Sequence, residues 1–293
     1  MKSRLILTTL RFLSWLPLRW QRRVGTVCAA LAFLLNTRMA RTTLTNLALC
    51  FPELSAPECR QLTQASLRHT FQTICEAGSV WLWPAERTLG CIARVEGLPL
   101  LFDAVAEGKG VIVAGPHLGN WELLGLYLSR AGTGPSYQLF QPPSDPRIAQ
   151  AIYTARSRGG ANMVATDKQG VAMLLRALRA GEIVGILPDQ VPPPESGDFA
   201  PFFGVSALTM TLLTRLQQKT GARVLGGVAK RTPDGFEIVF SEPDPMIYAQ
   251  DPQTALAGLN ATVEAMVRQI PAQYQWEYKR FKRQPPGYLS PYQ

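Results

Sequence analysis

Apolar strands that alternate with amphipathic helices are the feature that most limits how this chain can fold. The pattern starts at GKGVIVAGPH (108–117), which predicts a buried strand followed by a turn, and it continues through NWELLGLYLSRAG, GPSYQLF and EIVGILPDQ. After the strand-like ARVLGGVAKR, the turn sequence TPDG before FEIVFSEP indicates a hairpin. Because strands joined through helices pair in parallel, we expect an α/β fold with a mostly parallel mixed sheet flanked by helices.

Helical periodicity occupies most of the remaining chain. Residues 1–90 are predicted to be helical, with breaks at Pro52 and Pro84. Further helices are predicted at DPRIAQAIYTARSRGG (145–160), GVAMLLRALRAG (170–181), SALTMTLLTRLQQKTG (206–221) and PQTALAGLNATVEAMVRQI (252–270). In such sheets ligands bind at the carboxyl ends of the strands, so the loops there are where a functional site is expected.

The positive charge of the chain is concentrated at its N-terminus. The formal net charge is +9, and no acidic residue precedes Glu53. The basic residues before it are Lys2, Arg4, Arg11, Arg19, Arg22, Arg23, Arg38 and Arg41. Because Leu, Phe and Trp lie between these residues, the segment predicts contact with an anionic membrane surface, and nucleic acid is not expected as a partner.

Three regions follow from this distribution: a basic, apolar membrane-anchor segment (1–41), a helical region (42–92) and an α/β core with a basic, aromatic C-terminal tail (93–293). Each apolar run of the first region is shorter than the roughly 20 residues that span a bilayer. An in-plane or hairpin anchor is therefore favoured over a single tilted span with snorkelling arginines. Arginines throughout the segment argue against a cleaved signal peptide, and a surface helix packed on the body is the alternative without a membrane role.

The cysteines give no sign of a disulfide framework or a zinc site. Cys28, Cys50, Cys59, Cys75 and Cys91 are odd in number and lack C-x-x-C spacing. Reduced, mostly buried thiols in a protein that faces the cytoplasm are expected.

One of the two histidines lies where catalysis is expected. His117 follows a buried strand at a Gly-Pro turn, Asn120 favours the start of a helix, and Glu122 lies in the first helical turn. The His-x4-Glu spacing predicts that the carboxylate reaches the imidazole ring, fixes its tautomer and stabilises it after proton uptake. His69, within an amphipathic helical pattern, is expected to be a packed or surface residue.

Motifs for other chemistries are missing from the sequence. Ser144 and Ser157 lack a Gly-x-Ser-x-Gly setting, and neither a Walker A nor a dinucleotide glycine motif occurs. One His and one Glu provide too few ligands for a metal. We therefore expect no metal site and a base that activates a substrate hydroxyl directly.

Several ordered blocks resemble the bacterial lipid A biosynthesis late acyltransferases, the lauroyl and myristoyl type within the lysophospholipid-acyltransferase-like superfamily. The blocks are RTTLTNLALCFPELS, GPHLGNWE, ARSRGG, GEIVGILPDQ, FAPFFGVSALTMT and PAQYQWEYKRFKRQPPG, and together they cover nearly the whole chain. The resemblance implies transfer of a fatty acyl group from acyl carrier protein to a hydroxyl of a lipid A precursor at the cytoplasmic face of the inner membrane. It implies no cofactor other than the acyl-acyl carrier protein that donates the acyl group.

The resemblance also implies roles for individual residues. His117 would be the base and Glu122 its orienting partner, while Arg156, with Arg158 beside it, would stabilise the thioester oxyanion or bind an acceptor phosphate. Asp189, which ends a strand beside the site, is a candidate to hold Arg156. Asn120 is a further candidate for substrate binding, although a helix cap is its favoured interpretation.

One position departs from the family pattern. Gln141, in LFQPP, occupies the place of an arginine that close members often carry. Other glycolipids or lysophospholipids therefore stay open as acceptors. From a different class, a non-catalytic membrane-surface scaffold that binds acyl carrier protein is the remaining alternative.

Overall fold

The computed structural model describes residues 2–292 of the chain. Within these residues the helices are α1 (Lys2–Trp15), α2 (Leu18–Leu34), α3 (Arg38–Cys50), α4 (Ala56–Leu82), α5 (Ala85–Leu89), α6 (Leu98–Ala106), α7 (Trp121–Leu128), α8 (Pro146–Ser157), α9 (Lys168–Arg179), α10 (Leu212–Thr220) and α11 (Pro252–Gln269). The strands are β1 (Ile92–Glu96), β2 (Val111–Ala114), β3 (Ser136–Phe140), β4 (Asn162–Ala165), β5 (Ile183–Ile186), β6 (Gly197–Phe202), β7 (Val205–Met210), β8 (Arg223–Arg231) and β9 (Phe236–Ser241).

Seven strands form one mixed sheet in the order β1-β9-β8-β2-β5-β3-β4. Only the β8–β9 hairpin is antiparallel, and every other neighbouring pair in this sheet runs parallel. Strand β2 is central and all four of its residues are buried. The predicted α/β class with a mostly parallel mixed sheet and flanking helices is therefore confirmed.

Helices cover both faces of the sheet. One face carries a core that includes Leu101, Leu123 and Leu126 from α6 and α7. The other carries a core with Leu174, Leu213 and further side chains of α9, α10 and α11. Because the central strands are buried from both sides, their sequences are continuous apolar runs rather than alternating ones.

The N-terminal helices pack on the body along α4, the longest helix. The close approach needs glycine, because an added Cβ at Gly25 of α2 would meet the α4 backbone at Phe71 and Gln72, and one at Gly78 of α4 would meet the α1 backbone at Leu10. The opposite surface of α1 and α2 exposes large apolar side chains, among them Leu5, Phe12, Trp15, Val27, Leu31 and Leu34. None of the helices within residues 2–292 has an apolar stretch long enough to cross a bilayer.

Arg22 differs from the other N-terminal arginines because it is buried. Its Nε donates to Glu76 Oε1 at 2.7 Å, and its terminal nitrogens donate to the carbonyl groups of Thr232, Pro233 and Gly235 in the β8–β9 turn. This side chain joins α2 to the sheet and is not part of the exposed charged surface.

The main error in the predicted elements is at SALTMTLLTRLQQKTG. Its first residues form β7, which pairs with β6 as a separate antiparallel hairpin, and the helix starts only at Leu212. Phe203 and Gly204 connect the two strands with positive φ angles of 51° and 74°, the geometry of a tight hairpin turn. Pairing with β6 thus overrides a local pattern that is compatible with helix. The strands β1 and β4 and the helix α6 had no clear counterpart in the sequence pattern.

The C-terminal tail returns across the site end of the sheet instead of extending into solvent. Trp276 and Phe281 are buried with Phe202 and Phe203 of the β6–β7 hairpin in a third core. Arg280 is also buried, and it donates to the Leu208 carbonyl at 2.6 Å and to the Thr209 hydroxyl at 2.8 Å. The tail therefore forms part of the wall around the carboxyl ends of the central strands.

Candidate active site

The site lies at the carboxyl ends of β2 and β5, where the sequence predicted it. His117 is in the turn that leaves β2, and its side chain is 15% exposed. Its Nδ1 lies 2.8 Å from Oδ1 of Asp189, and its backbone N–H donates to Oδ2 of the same carboxylate at 3.0 Å. Asp189, in the loop after β5, therefore fixes both the imidazole ring and the backbone that carries it.

The charge of Asp189 is maintained inside the protein. Burial alone would raise the pKa of this carboxyl, but the charge of His117 and the hydrogen bonds from it outweigh burial and hold the pKa below its usual range. An ionised carboxylate next to Nδ1 favours a proton on that nitrogen and stabilises the imidazolium when the ring takes a second proton.

The second ring nitrogen of His117 faces a chain of side-chain amides. Nε2 lies 3.2 Å from the amide nitrogen of Gln190, which also donates to Oε1 of Gln275 at 3.0 Å. Since an amide nitrogen can only donate, Nε2 accepts and the proton of the neutral ring resides on Nδ1. The lone pair of Nε2 is then available to a substrate hydroxyl that replaces the Gln190 amide.

The expected His117–Glu122 pair is not formed, and this prediction is wrong. Glu122 instead binds Arg156 of α8 through two hydrogen bonds, from Nε at 2.9 Å and from Nη2 at 2.6 Å. The side chains are 10% and 18% exposed, respectively. The first turn of α7 directs Glu122 towards α8, so the carboxylate of Asp189 takes the place beside the imidazole.

The suggested contact between Asp189 and Arg156 is also wrong, because Arg156 is bound to Glu122. Burial would raise the pKa of Glu122, but the charge of Arg156 and its hydrogen bonds hold that pKa below its usual range. The site thus contains two separate carboxylate–base pairs, Asp189 with His117 and Glu122 with Arg156.

Asn120 is a helix cap, as favoured from the sequence. Its side-chain oxygen accepts from the backbone N–H of Leu123 at 3.2 Å, and its amide nitrogen donates to Glu76 at 3.1 Å. Glu76 is fully buried and also accepts from Arg22 and Arg231. This cluster connects the start of α7 to α2, α4 and β8.

Arg158 lies outside the site. Its terminal nitrogens donate to the carbonyl groups of Trp83 and Val80 at the end of α4. A guanidinium at a helix C-terminus satisfies carbonyl groups that the helix leaves unpaired. Gln141 is exposed beyond β3 and accepts from the hydroxyl of Thr166.

The backbone after His117 is held by the sheet and by the tail. Gly119 N–H donates to the carbonyl of Gln273 and Asn120 N–H to that of Ala229, while Gln275 N–H donates to the His117 carbonyl. Gly119 has φ +65°, and a Cβ at this position would overlap the Ala229 carbonyl oxygen. Glycine is therefore required in the GPHLGNWE block for a steric reason.

Sequence reasoning missed Gln190, Gln275 and Glu76 as contributors to the site. Gln190 follows Asp189 in GEIVGILPDQ, and Gln275 belongs to PAQYQWEYKRFKRQPPG, so both lie in blocks that carried the resemblance. No sequence pattern indicated a role for Glu76, because an acidic residue within a long helical pattern usually lies on a solvent-exposed face.

A small cavity of about 30 Å³ lies between the Glu122–Arg156 pair and the ends of the central strands. Val113, Leu139 and Leu187 contribute to its walls. A volume of this size holds a few water molecules at most. It is a solvent-sized gap next to the ion pair, not a chain-binding site.

Comparisons with known proteins place nearly the whole chain in one family. The model of the family described as bacterial lipid A biosynthesis acyltransferase matches residues 3–283. The lipid A biosynthesis lauroyltransferase of Escherichia coli (strain K12) is 30% identical over 273 residues, which are 92% of this chain and 88% of the relative. The lipid A biosynthesis palmitoleoyltransferase of the same organism is 30% identical over 272 residues, 92% of this chain and 87% of the relative.

A less similar relative is also a lipid A biosynthesis acyltransferase. A lipid A biosynthesis acyltransferase of Haemophilus influenzae (strain ATCC 51907 / DSM 11121 / KW20 / Rd) is 27% identical over 248 residues, 82% of this chain and 76% of the relative. The match to the family spans the His117 turn, the Asp189 loop and the C-terminal tail as far as Arg283 in one continuous range. The chain therefore belongs to the bacterial lipid A biosynthesis acyltransferases.

Proposed function

We propose that the protein transfers a fatty acyl group from acyl carrier protein to a hydroxyl of a lipid A precursor, as a secondary acylation at the cytoplasmic face of the inner membrane. The observation that carries the proposal is the Asp189–His117 pair at the carboxyl ends of β2 and β5. No serine or cysteine nucleophile is part of that pair, so the reacting nucleophile is the acceptor hydroxyl itself.

In the proposed reaction, Nε2 of His117 removes the proton of the acceptor hydroxyl as its oxygen attacks the thioester carbonyl. Asp189 holds Nδ1–H and stabilises the imidazolium that results. The imidazolium then returns its proton to the thiolate that leaves when the tetrahedral intermediate collapses. General-base catalysis of this kind contributes about 10²–10⁴-fold, and no cofactor beyond the acyl donor is proposed.

Arg156 is the candidate residue for binding negative charge on the substrates. Glu122 occupies Nε and Nη2, which leaves Nη1 for the thioester oxyanion or for an acceptor phosphate. Because the guanidinium is fixed by a bidentate pair, it does not have to be ordered during the reaction. Glu122 is thereby proposed as a positioning residue for Arg156 rather than for His117.

The N-terminal helices are proposed to bind the membrane surface in plane. Apolar side chains such as Phe12, Trp15 and Leu34 are exposed on α1 and α2 together with Arg4, Arg19 and Arg23. An exposed apolar surface interleaved with arginine matches an anionic lipid interface, where acyl chains receive the apolar side chains and head groups receive the charges.

The experiment that tests the proposal is acyl transfer by the purified full chain in a neutral detergent. Labelled acyl-acyl carrier protein is supplied as donor, and a glucosamine-based lipid A precursor or a lysophospholipid as acceptor. We expect label on the glucosamine lipid, its loss in His117→Ala, and its retention in the control His69→Gln. Label on the lysophospholipid alone would contradict the acceptor assignment, and transfer by a folded His117→Ala protein would contradict the mechanism.

A further inference from the structure

A large groove lies between the N-terminal helix α1, the end of α4 and helix α8. Its volume is about 940 Å³, at the upper end of the range for small-molecule sites. We call it the α1–α8 groove, and its apolar walls include Leu7, Leu10, Trp15, Trp81, Trp83 and Ala151. Because one wall belongs to α1, the groove borders the exposed apolar surface of the N-terminal helices.

Three arginines line the same groove: Arg11 of α1, Arg87 of α5 and Arg147 of α8. All three are exposed, and within residues 2–292 no carboxylate oxygen lies within 4.0 Å of their guanidinium nitrogens. Arg87 stacks over the Trp83 ring with its guanidinium carbon 3.8 Å from the ring centroid. An apolar groove with three cations and no paired anion is complementary to an amphiphile with a negatively charged head.

The groove does not reach the reacting atoms. None of the residues that line it forms a side-chain hydrogen bond with His117, whose ring nitrogens face Asp189 and Gln190 and whose ring lies against Trp121. Ala155 lines the groove, but the next residue, Arg156, faces the small cavity beside Glu122. Helix α8 and the Trp81 side chain, which lies next to Glu122, stand between the two spaces, and we therefore treat a lipid in the groove as a non-reacting ligand.

We propose that the α1–α8 groove binds the acyl chain of an anionic membrane phospholipid as a non-reacting ligand, with Arg11, Arg87 and Arg147 around its phosphate. The bound lipid fixes α1 against α8 at the membrane surface. The proposal rests on the groove itself and does not depend on the acyl-transfer reaction, so binding is measured without turnover.

The test is native mass spectrometry of the full chain released from a neutral maltoside detergent. The protein is titrated with phosphatidylglycerol or with phosphatidylcholine of the same acyl chains, and the population with one bound lipid is counted. We expect saturable binding of one phosphatidylglycerol and weaker binding of phosphatidylcholine. Each arginine that contacts the phosphate is expected to contribute about fivefold to affinity.

Two variants and two matched controls distinguish the groove from other surfaces. Ala151→Phe places a ring in the groove, and its control Ala172→Phe places the same ring on the exposed side of α9. Arg147→Glu reverses a charge at the start of α8, where an acidic residue is compatible with the helix. Its control is Arg176→Glu on the surface of α9. We expect loss of the bound lipid in Ala151→Phe, at least about fivefold weaker binding in Arg147→Glu and no change in either control.

Equal binding of the two lipids, or binding by Ala151→Phe equal to that of Ala172→Phe, would overturn the proposal. So would displacement of the phospholipid by the lipid acceptor at concentrations that saturate transfer, because the groove would then be an acceptor site. If Ala151→Phe unfolds, Arg147→Glu with its control decides. Transfer activity is measured separately, so a failed lipid-binding test leaves the proposed reaction intact.

Discussion

His117 and Asp189 lie at equivalent positions beyond two adjacent parallel strands. Ala114 of β2 is paired in register with Ile186 of β5, and each of the two site residues follows its strand end by three positions. In a parallel pair both chains leave the sheet at the same edge. The strand register therefore places the imidazole and the carboxylate together, although 72 positions separate them in sequence.

Asp189→Asn tests this relationship. The amide keeps the size of the side chain but removes the negative charge that stabilises the imidazolium, so we expect transfer to fall by about 10²–10⁴-fold. The control Asp103→Asn alters an exposed carboxylate on α6 and should leave the rate unchanged. A folded Asp189→Asn enzyme with a wild-type rate in a single-turnover assay would show that Asp189 has no catalytic role.

The Glu122–Arg156 pair is expected to stabilise the fold as well as the site. Glu122→Gln leaves a guanidinium largely buried without its counter-charge, which costs about 3–5 kcal/mol in the free energy of unfolding. The exposed pair Arg223–Glu242 provides the control, and Glu242→Gln should cost no more than about 1 kcal/mol. Urea unfolding of both variants gives the comparison, and equal losses would contradict the expected difference.

Gly119→Ala is expected to destabilise the turn that carries His117. Gly119 and Gly108 share nearly the same φ, +65° and +68°, but only at Gly119 would a Cβ overlap a carbonyl oxygen. Both alanine variants are expected to lose about 1–2 kcal/mol in the free energy of unfolding, because a residue with a Cβ is disfavoured in the left-handed backbone conformation. The overlap adds about 1–3 kcal/mol at Gly119. Thermal unfolding should therefore separate the variants, and identical midpoints would argue against a steric role for Ala229.

His69 should make the protein sensitive to mild acid. Burial, together with the charges of Arg231 and Arg68, lowers the pKa of this histidine to about 3. Below its ordinary pKa of about 6.5 the unfolded chain takes up a proton that the folded chain does not, so stability falls as the pH falls from about 6.5 towards 3.

His69→Gln keeps a hydrogen-bond acceptor for Arg231 but removes this titration. We expect its urea midpoint to decline less between pH 6.5 and pH 4 than that of the wild-type protein. Parallel declines for the two proteins would show that His69 does not titrate with folding.

Membrane binding by the exposed arginines is testable on vesicles. Arg19→Glu combined with Arg23→Glu should weaken binding to anionic vesicles by about 2 kcal/mol or more, about 30-fold. The control pair Arg176→Glu and Arg179→Glu changes the same charge on α9. Co-sedimentation at low and high salt measures the effect. Equal binding of the two double variants would place the contact elsewhere.

Local sequence determined the elements that carry the site. VIVAG is apolar at every position, which predicts a buried strand, and the Gly-Pro pair ends it. Asn120 caps the next helix by accepting from the backbone N–H of Leu123, three positions further on. These are short-range effects, so the position of His117 at a strand end was predictable. The error at SALTM has the opposite cause, since pairing with a distant segment, GDFAPF, decided its conformation.

The partners of the site residues were decided by tertiary structure alone. His-x4-Glu brings Glu122 near His117 in sequence, but the turn and the first helical residues direct the two side chains to different neighbours. The register of β2 against β5 selects Asp189, and the packing of α7 on α8 selects Arg156. Sequence thus determined which residue types stand at the edge of the sheet. Which carboxylate meets which base depends on the relative positions of elements far apart in the chain, and local spacing contains no information about those positions.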